Sequence, residues 1–178
     1  MMKTRKCKYC KSVFSPITTL QKNCFDPNCV TEWIQEVKQK NWQKKKAKLK
    51  MDLMTLSDYI KLAQQVFNKF IRLRDKLTPC ISCGNKLGEK FDCGHFYSAG
   101  GHWSVRFDER NCSAQCVNCN QHKHGNLIAY RENLLRKIGI EEFENLSAEA
   151  TKTRKFTIDE LKEIIATYKK KIKEIELY

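Results

Sequence analysis

The sequence predicts an α+β fold in which zinc-holding cysteine modules stand in for part of the hydrophobic core, with helices on either flank. Three observations carry that expectation. Eight of the ten cysteines fall into two sets, Cys7-x2-Cys10 with Cys24-x4-Cys29, and Cys80-x2-Cys83 with Cys116-x2-Cys119. Apolar residues recur at helical spacing on both sides of the second set. The stretch 80–115 lacks that period and carries Gly84, Gly88, Gly94, Gly100 and Gly101, which suits hairpins and loops.

Taken in order, residues 1–30 form an N-terminal zinc module. From about Val30 a helix begins, with Val30, Trp33, Ile34 and Val37 on one face. It continues through 31–56 as "KQKNWQKKKAKLK", whose seven lysines leave nothing to bury, so a solvated helical arm is expected. Residues 57–138 form the main domain. Ser57 is the expected N-cap of a helix to about Leu77, striped by Tyr59, Ile60, Ala63, Val66, Phe67, Phe70, Ile71 and Leu77. Thr78-Pro79 ends it. A further helix is expected from Cys116 to about Ile138, broken near "HGN". In the closing segment, 139–178, Thr157 and Glu160 fit a capping box, with Phe156 and Leu161 as a hydrophobic staple. Leu161, Ile165, Tyr168, Ile172 and Ile175 then follow a heptad-like spacing. That face should pack on its own chain; a homodimeric coil is left open.

Charge points to a partner. The net charge is +14, and residues 1–50 hold 13 Lys and Arg against three acids. So local an excess calls for a polyanion, and nucleic acid fits better than an anionic membrane, because the basic run has no continuous apolar face. Lys38, Lys40, Lys44, Lys45, Lys46, Lys48 and Lys50 are the candidate contacts. No run of about 18 apolar residues occurs, so no membrane span is expected. The charged start, "MMKTRKCKYCK", shows no secretory apolar region, so a cytoplasmic location is expected. There, CxxC pairs read as metal ligands before disulfides.

Each cysteine set offers four thiolates, the tetrahedral complement of a structural zinc ion. Cys93 and Cys112 are left over and read as small buried residues. A closed four-thiolate site has no open position for chemistry. Asp92 and His95, in "FDCGHF" between the two knuckles, therefore belong to something else. Asn111 lies five residues before Cys116, and Asn120, His122, Lys123 and His124 follow Cys119.

This order of residues resembles the zinc-stapled HNH (ββα-metal) nucleases. In those, an acid and a histidine sit on a hairpin, an asparagine lies in the returning loop, and an Asn or His opens the helix after the second CxxC. Endonuclease VII, a phage junction-resolving enzyme, has the same Asn-after-CxxC arrangement. Through "PCISCG", "DCGHF", "RFDERNCSAQCVNCNQHKHGNL" and "YRENL" the chain also resembles the phage lambda NinG (Rap) family of recombination nucleases, most strongly over 59–138. The resemblance implies a phage-encoded DNA endonuclease acting on branched intermediates such as D-loops, flaps and Holliday junctions in the bacterial host.

The chemistry of those residue types agrees. Asp92 and Asn120 offer hard oxygen ligands for one Mg2+ or Mn2+, and His124, one helical turn on, is the alternative ligand. His95 is the candidate base for an attacking water. Asn111 would pin the hairpin or loop. The usual acid and histidine are adjacent, whereas Cys93 and Gly94 intervene here. The odd spacing still puts the two side chains on opposite strand faces, and Gly94 could seat a bulge. Arg106, Arg110 and Lys123 are candidate phosphate clamps, although Asp108 and Glu109 could equally neutralise the arginines. His102 and Trp103 sit in a Gly-rich loop, where Trp103 serves either as packing or as a wedge. The rival reading is a non-catalytic double-zinc nucleic-acid-binding protein.

Overall fold

Asp26 and Pro27 start a helix earlier than the apolar spacing indicates. The Asp26 carboxylate accepts from the backbone N–H groups of Asn28 and Cys29, and Pro27 sits where its missing N–H costs nothing. In a computed structural model describing residues 4–177, this helix, α1 (Pro27–Asp52), is 26 residues long. Cys29 therefore belongs to its first turn, and the zinc module and the lysine arm share one helix. Ahead of it a short antiparallel hairpin pairs β1 (Arg5–Lys6) with β2 (Val13–Phe14). The chain divides into two compact units, Met1–Met54 and Thr55–Tyr178.

In the first unit α1 buries only Cys29, and Trp33, Ile34 and Val37 stay exposed. The apolar face read from the sequence exists but has no core to meet. Its lysines are exposed along the rest of the helix.

The second unit opens with α2 (Leu56–Arg74). Its cap is Thr55, not Ser57: the Thr55 hydroxyl accepts from the Asp58 N–H and the Asp58 carboxylate accepts from the Thr55 N–H, a reciprocal box that Ser57 cannot make. Tyr59, Ala63, Phe67, Phe70 and Ile71 are buried as their spacing requires. Leu77 is not; it lies beyond the end of α2 and is 96% exposed.

The centre of this unit is an antiparallel hairpin of β3 (Phe91–His95) and β4 (Cys112–Cys116), in unbroken register from Phe91↔Cys116 to His95↔Cys112. Strand alternation gives it two apolar contacts. On one face Cys93 and Cys112 join Phe67, Phe70 and Ile71 of α2 and Tyr168 and Ile172 of α5 (Ile158–Glu176). On the other, the Gly94 carbonyl accepts from Tyr130 Oη at 2.9 Å. Tyr130 lies on α3 (Leu127–Ile138) and packs with Leu134, Val105 and the Phe143, Leu146 and Ala150 side chains of α4 (Ile140–Ala150).

The capping box at Thr157 and Glu160 is present, and Phe156 and Leu161 are both buried. Leu161, Ile165, Tyr168 and Ile172 are buried as well, with α5 packed chiefly against α2. The stripe that would zip a dimer is thus used within the chain. Helix α4 carries no strong signal in the sequence and went unread there.

Candidate functional site

Four sulfur atoms meet in each cysteine set. Cys7, Cys10, Cys24 and Cys29 bring their ligand atoms within 4.8 Å of one another, and so do Cys80, Cys83, Cys116 and Cys119. Both are groups that could hold zinc. Local backbone explains the convergence. In the second set the Cys116 N–H donates to Cys80 Sγ at 3.3 Å and the Cys119 N–H to Cys116 Sγ at 3.4 Å, while Gly84 takes φ +71° to close the knuckle. Burial pushes the Cys80 thiol up, but backbone N–H groups of Cys83, Cys116 and Ser82 outweigh it and bring its pKa to about 7. Cys119 goes the other way, to about 12, through burial and the neighbouring sulfurs. In the first set Cys7 falls to about 6 and Cys29 rises to about 12. Four thiols this close ionise together only around a cation, and zinc fits that donor set.

The strand places Asp92 on the α3 side of the hairpin. Its Oδ2 accepts from Asn120 Nδ2 at 2.9 Å and from Gln121 Nε2 at 2.8 Å. Asn120 lies in a single π turn, Asn118–His122, that follows directly from the cysteine knuckle. The strand carboxylate and the post-knuckle asparagine are therefore in contact. A half turn of the carboxamide would replace its N–H by its oxygen and set two oxygen donors side by side. Gln121 gave no signal in the sequence that set it apart from its neighbours.

His124 leaves the helical path on which it was read. Its assignment relied on a continuing helix, but the turn stops at His122 and the Gly125 N–H folds back onto the carbonyls of Cys119 and Asn120. His124, Gly125 and Asn126 take φ of +47°, +89° and +43°, three left-handed residues in succession. Lys123 is exposed in the same turn.

His95 ends β3 on the opposite face from Asp92, as the odd spacing requires. Its Nε2 lies 3.3 Å from the Arg106 carbonyl oxygen and 3.4 Å from Gln64 Nε2. Burial holds the imidazole below its ordinary value of 6.5, against hydrogen bonding to the backbone of Arg106 and Cys93 that pulls the other way. Its ligand nitrogen also comes within 4.8 Å of the Cys93 and Cys112 sulfurs. Both of those cysteines are buried, and burial pushes the Cys112 thiol well up, so they pack as small apolar groups.

No bulge accompanies Gly94, and the reason for glycine is different. A Cβ there would lie 2.2 Å from Gln115 Oε1. Gln115 is fully buried, and its Nε2 donates to Ser82 Oγ and to the Gly125 carbonyl. Those donations fix the amide orientation and leave Oε1, which has no hydrogen-bond partner, against the Gly94 backbone. A Cα–H···O contact is the interaction this geometry allows.

Asn111 is fully buried and closes the loop that follows His95. Its Nδ2 donates to the carbonyls of Tyr97 and Val105 at 2.9 and 3.0 Å, and its Oδ1 accepts from the Tyr97 N–H at 2.8 Å. Helix α4 holds the same loop from outside. Ser104 Oγ donates to the Glu149 carbonyl, Tyr97 Oη to Ser147 Oγ, and His102 Nδ1 lies 3.1 Å from the Ala150 carbonyl. Trp103 is half-buried, with the Arg106 guanidinium 4.8 Å from its ring.

The three clamp candidates fare differently. Arg106 donates through Nε to Gln64 Oε1 at 2.7 Å and through Nη1 to the Ala99 carbonyl. Arg110 is held by Asp108 at 2.7 Å and Glu142 at 2.6 Å, so its charge is answered inside the unit and it braces α4. Glu109 neutralises neither arginine; it accepts from Lys171 and Tyr168 and lies 3.6 Å from Arg74. Unread in the sequence was Asp75, which is buried. Its Oδ2 accepts from the Ala114 N–H at 3.0 Å, and Arg74 and Lys137 flank it. It ties the end of α2 to β4.

Comparison with known proteins agrees over the whole length. The family model described as bacteriophage lambda NinG protein matches residues 1–177. Protein ninG of Escherichia phage 933W is 38% identical over 189 residues, covering 96% of this chain and 93% of its own. The ninG proteins of Salmonella phage P22 and Escherichia phage lambda are each 38% identical over 191 residues, with the same coverage. No solved structure matches. Among the described residues no helix is long and apolar enough to cross a membrane. With a zinc-type cysteine quartet in each unit and a family match over residues 1–177, the chain belongs to the bacteriophage lambda NinG family.

Proposed function

We propose that the protein is a metal-dependent DNA endonuclease that cuts branched recombination intermediates in the cytoplasm of a phage-infected bacterium. The observation that carries this reading is the 2.9 Å contact between Asp92 and Asn120. It joins the hairpin to the turn after the second knuckle, and it needs the zinc set and the strand register together. Asp92 and Asn120 would hold Mg2+ or Mn2+ through oxygen, which supplies Lewis acidity at the leaving oxygen of the phosphodiester. His95 takes the proton of the attacking water as the new P–O bond forms, while the P–O bond to the leaving oxygen breaks and that oxygen departs to be protonated by solvent. Burial keeps it neutral, and so proton-accepting, at pH 7. Asn111 fixes the loop from Tyr97 to Val105, which sets the direction of the strand end carrying His95.

One observation favours the rival reading. His95 Nε2 already faces the Arg106 carbonyl and Gln64 Nε2, so base action requires the imidazole to turn toward the DNA. Hydrogen bonds at catalytic groups commonly rearrange on forming the reacting complex. A non-catalytic double-zinc protein needs no such turn. The two readings part in one assay: labelled four-way junction, flap, D-loop and linear duplex, incubated with Mg2+, Mn2+ or EDTA. The nuclease reading expects metal-dependent nicks near the branch, well ahead of linear duplex, because branch points open and bend at low cost. Binding to all four substrates without cleavage, in any metal, leaves the double-zinc binder.

A further inference from the structure

The first unit leaves much apolar surface open for its size. Leu20 is 84%, Ile17 68% and Phe25 64% exposed. With Tyr9, Trp33 and Val37 these side chains line one groove of about 790 Å3, between the 17–25 loop and the start of α1. That volume falls in the range, roughly 300–1,000 Å3, of pockets that enclose small organic ligands. Contiguous exposed apolar side chains of this kind mark a binding surface, whereas scattered single ones do not.

The rim says what covers it. Lys8, Lys22 and Lys40 line the same groove. Glu36 is the one acid along it, and its carboxylate is taken up by Lys40, Lys8 and Tyr9 Oη, which hold its pKa at about 2. Among the described residues no bare anion therefore faces the groove. At helical spacing beyond Val37 and Lys40, the same face of α1 continues to Lys44 and Lys48. An aromatic trough thus opens onto a row of cations. The unit as a whole carries 13 Lys and Arg against four acids, while residues 55–178 carry 21 against 16.

We propose that this groove holds unpaired bases of single-stranded DNA, with Phe25 and Trp33 as stacking faces and Lys22, Lys40, Lys44 and Lys48 following the phosphates. An unpaired nucleotide presents an apolar ring face beside a charged backbone, and aromatic platforms with basic tracks are how proteins meet both at once. In a duplex the ring faces are already stacked on each other, so only the lysines would be engaged and the trough would stay uncovered. The inference rests on DNA being the substrate proposed above. It adds that the unpaired strand of a flap or D-loop is the part the first unit holds.

The test uses the full-length, zinc-loaded protein and fluorescence anisotropy of labelled oligothymidylate and of a linear duplex. Phe25→Ala and Trp33→Ala should each weaken oligothymidylate binding about tenfold, as loss of a stacked base does. Duplex binding should change less than twofold. Trp33→Phe, which keeps a ring, should restore most of the affinity. The Trp33→Ala defect should persist in raised salt, whereas the defect of a Lys44→Gln, Lys48→Gln double variant should shrink there. Unchanged oligothymidylate affinity in both alanine variants, or an equal loss on duplex, would overturn the proposal. So would displacement of the protein from duplex alone by an acidic peptide that occupies the groove. Cleavage of linear duplex by the same variants is read separately. If it is retained while oligothymidylate binding shows no groove dependence, only the groove assignment falls.

Discussion

Among the described residues before position 55, the buried ones are Cys7, Pro16 and Cys29. After it, two apolar clusters form on the two faces of one hairpin, the first between α2 and α5 and the second beneath α3 and α4. Both units carry a quartet of cysteines with the same spread of ligand atoms. In the N-terminal unit two of the three buried residues are themselves zinc-type ligands, so a metal held there would take the place of a core. In the C-terminal unit a core exists already, and the quartet fixes how β4 leaves the sheet and where Asn120 lands. The same device serves stability in one place and position in the other. A groove of exposed aromatics beside Cys7 and Cys29 is tolerable for this reason: the N-terminal unit does not depend on burying them.

The comparison is broken most severely by removing metal. Structural zinc contributes an apparent ~10–16 kcal/mol to small cysteine modules, as much as the whole stability of a typical domain. Cys7→Ser should therefore abolish amide-exchange protection throughout 5–30 while leaving that of α2 and α5 unchanged. Cys80→Ser should expose 80–83 and 116–126 to exchange, yet keep protected helix in α2 and α5. Equal collapse of both units in both variants would mean the C-terminal core depends on zinc as fully as the N-terminal one.

Next in size are the effects at His95, where position is the quantity at stake. His95→Ala should lower cleavage by about 10²–10⁴-fold, or roughly 3–5 kcal/mol in the barrier, with zinc content and DNA affinity unchanged. Because burial lowers the folded pKa of His95 below 6.5, the acid limb of the rate should fall below that of an unperturbed histidine. The same shift acts on folding. The unfolded chain binds this proton first, so the stabilising contribution is complete above about pH 6.5 and is lost as pH drops toward the folded pKa. A rate profile with its acid limb above pH 6.5 would contradict the buried, neutral imidazole.

Smaller effects are expected where polar groups hold the hairpin in place. Gly94→Ala should cost about 1–3 kcal/mol in chemical denaturation, because the new methyl meets a buried amide whose orientation is already fixed. Asp75→Asn should cost about 1–3 kcal/mol by weakening the contact to the Ala114 N–H. Burial opposes ionisation of Asp75, but Arg74, Lys137 and the Ala114 N–H prevail, so its folded pKa lies below 3.8. Its contribution is present above that value and is lost as pH falls through the folded pKa. Wild type should thus lose stability to acid below about pH 4 more steeply than Asp75→Asn does.

What the sequence disclosed was mostly local. The two quartets follow from ligand spacing, α5 from a cap and a stripe, the break at "HGN" from its glycine, and the strand faces of Asp92 and His95 from parity. Most of the misses needed partners distant in the chain, and two were local. Thr55 and Ser57 both match a cap, and the reach of Asp58 chose between them. Gly94 reads as a bulge until Gln115, across the sheet, is seen to fill the space. Gln64 touches His95 across 31 residues. Asp75 reads as a helix-end acid, and only the register of β4 brings the Ala114 N–H to it. His124 leaves the helix expected for it because three left-handed residues cut that helix short, two of them not glycine.

The account turns on the pairing of Asp92 with Asn120, and metal binding tests it most directly. Zinc-loaded protein should be titrated with Mn2+ by paramagnetic resonance, wild type beside Asp92→Asn, which keeps the shape of the side chain and removes its charge. The account predicts one Mn2+ per wild-type chain in addition to the two zinc sites, its loss in Asp92→Asn, and parallel loss of Mn2+-dependent nicking of a four-way junction. Mn2+ bound equally by both proteins, or a wild-type protein that binds junction DNA and never nicks it in Mn2+, would contradict it.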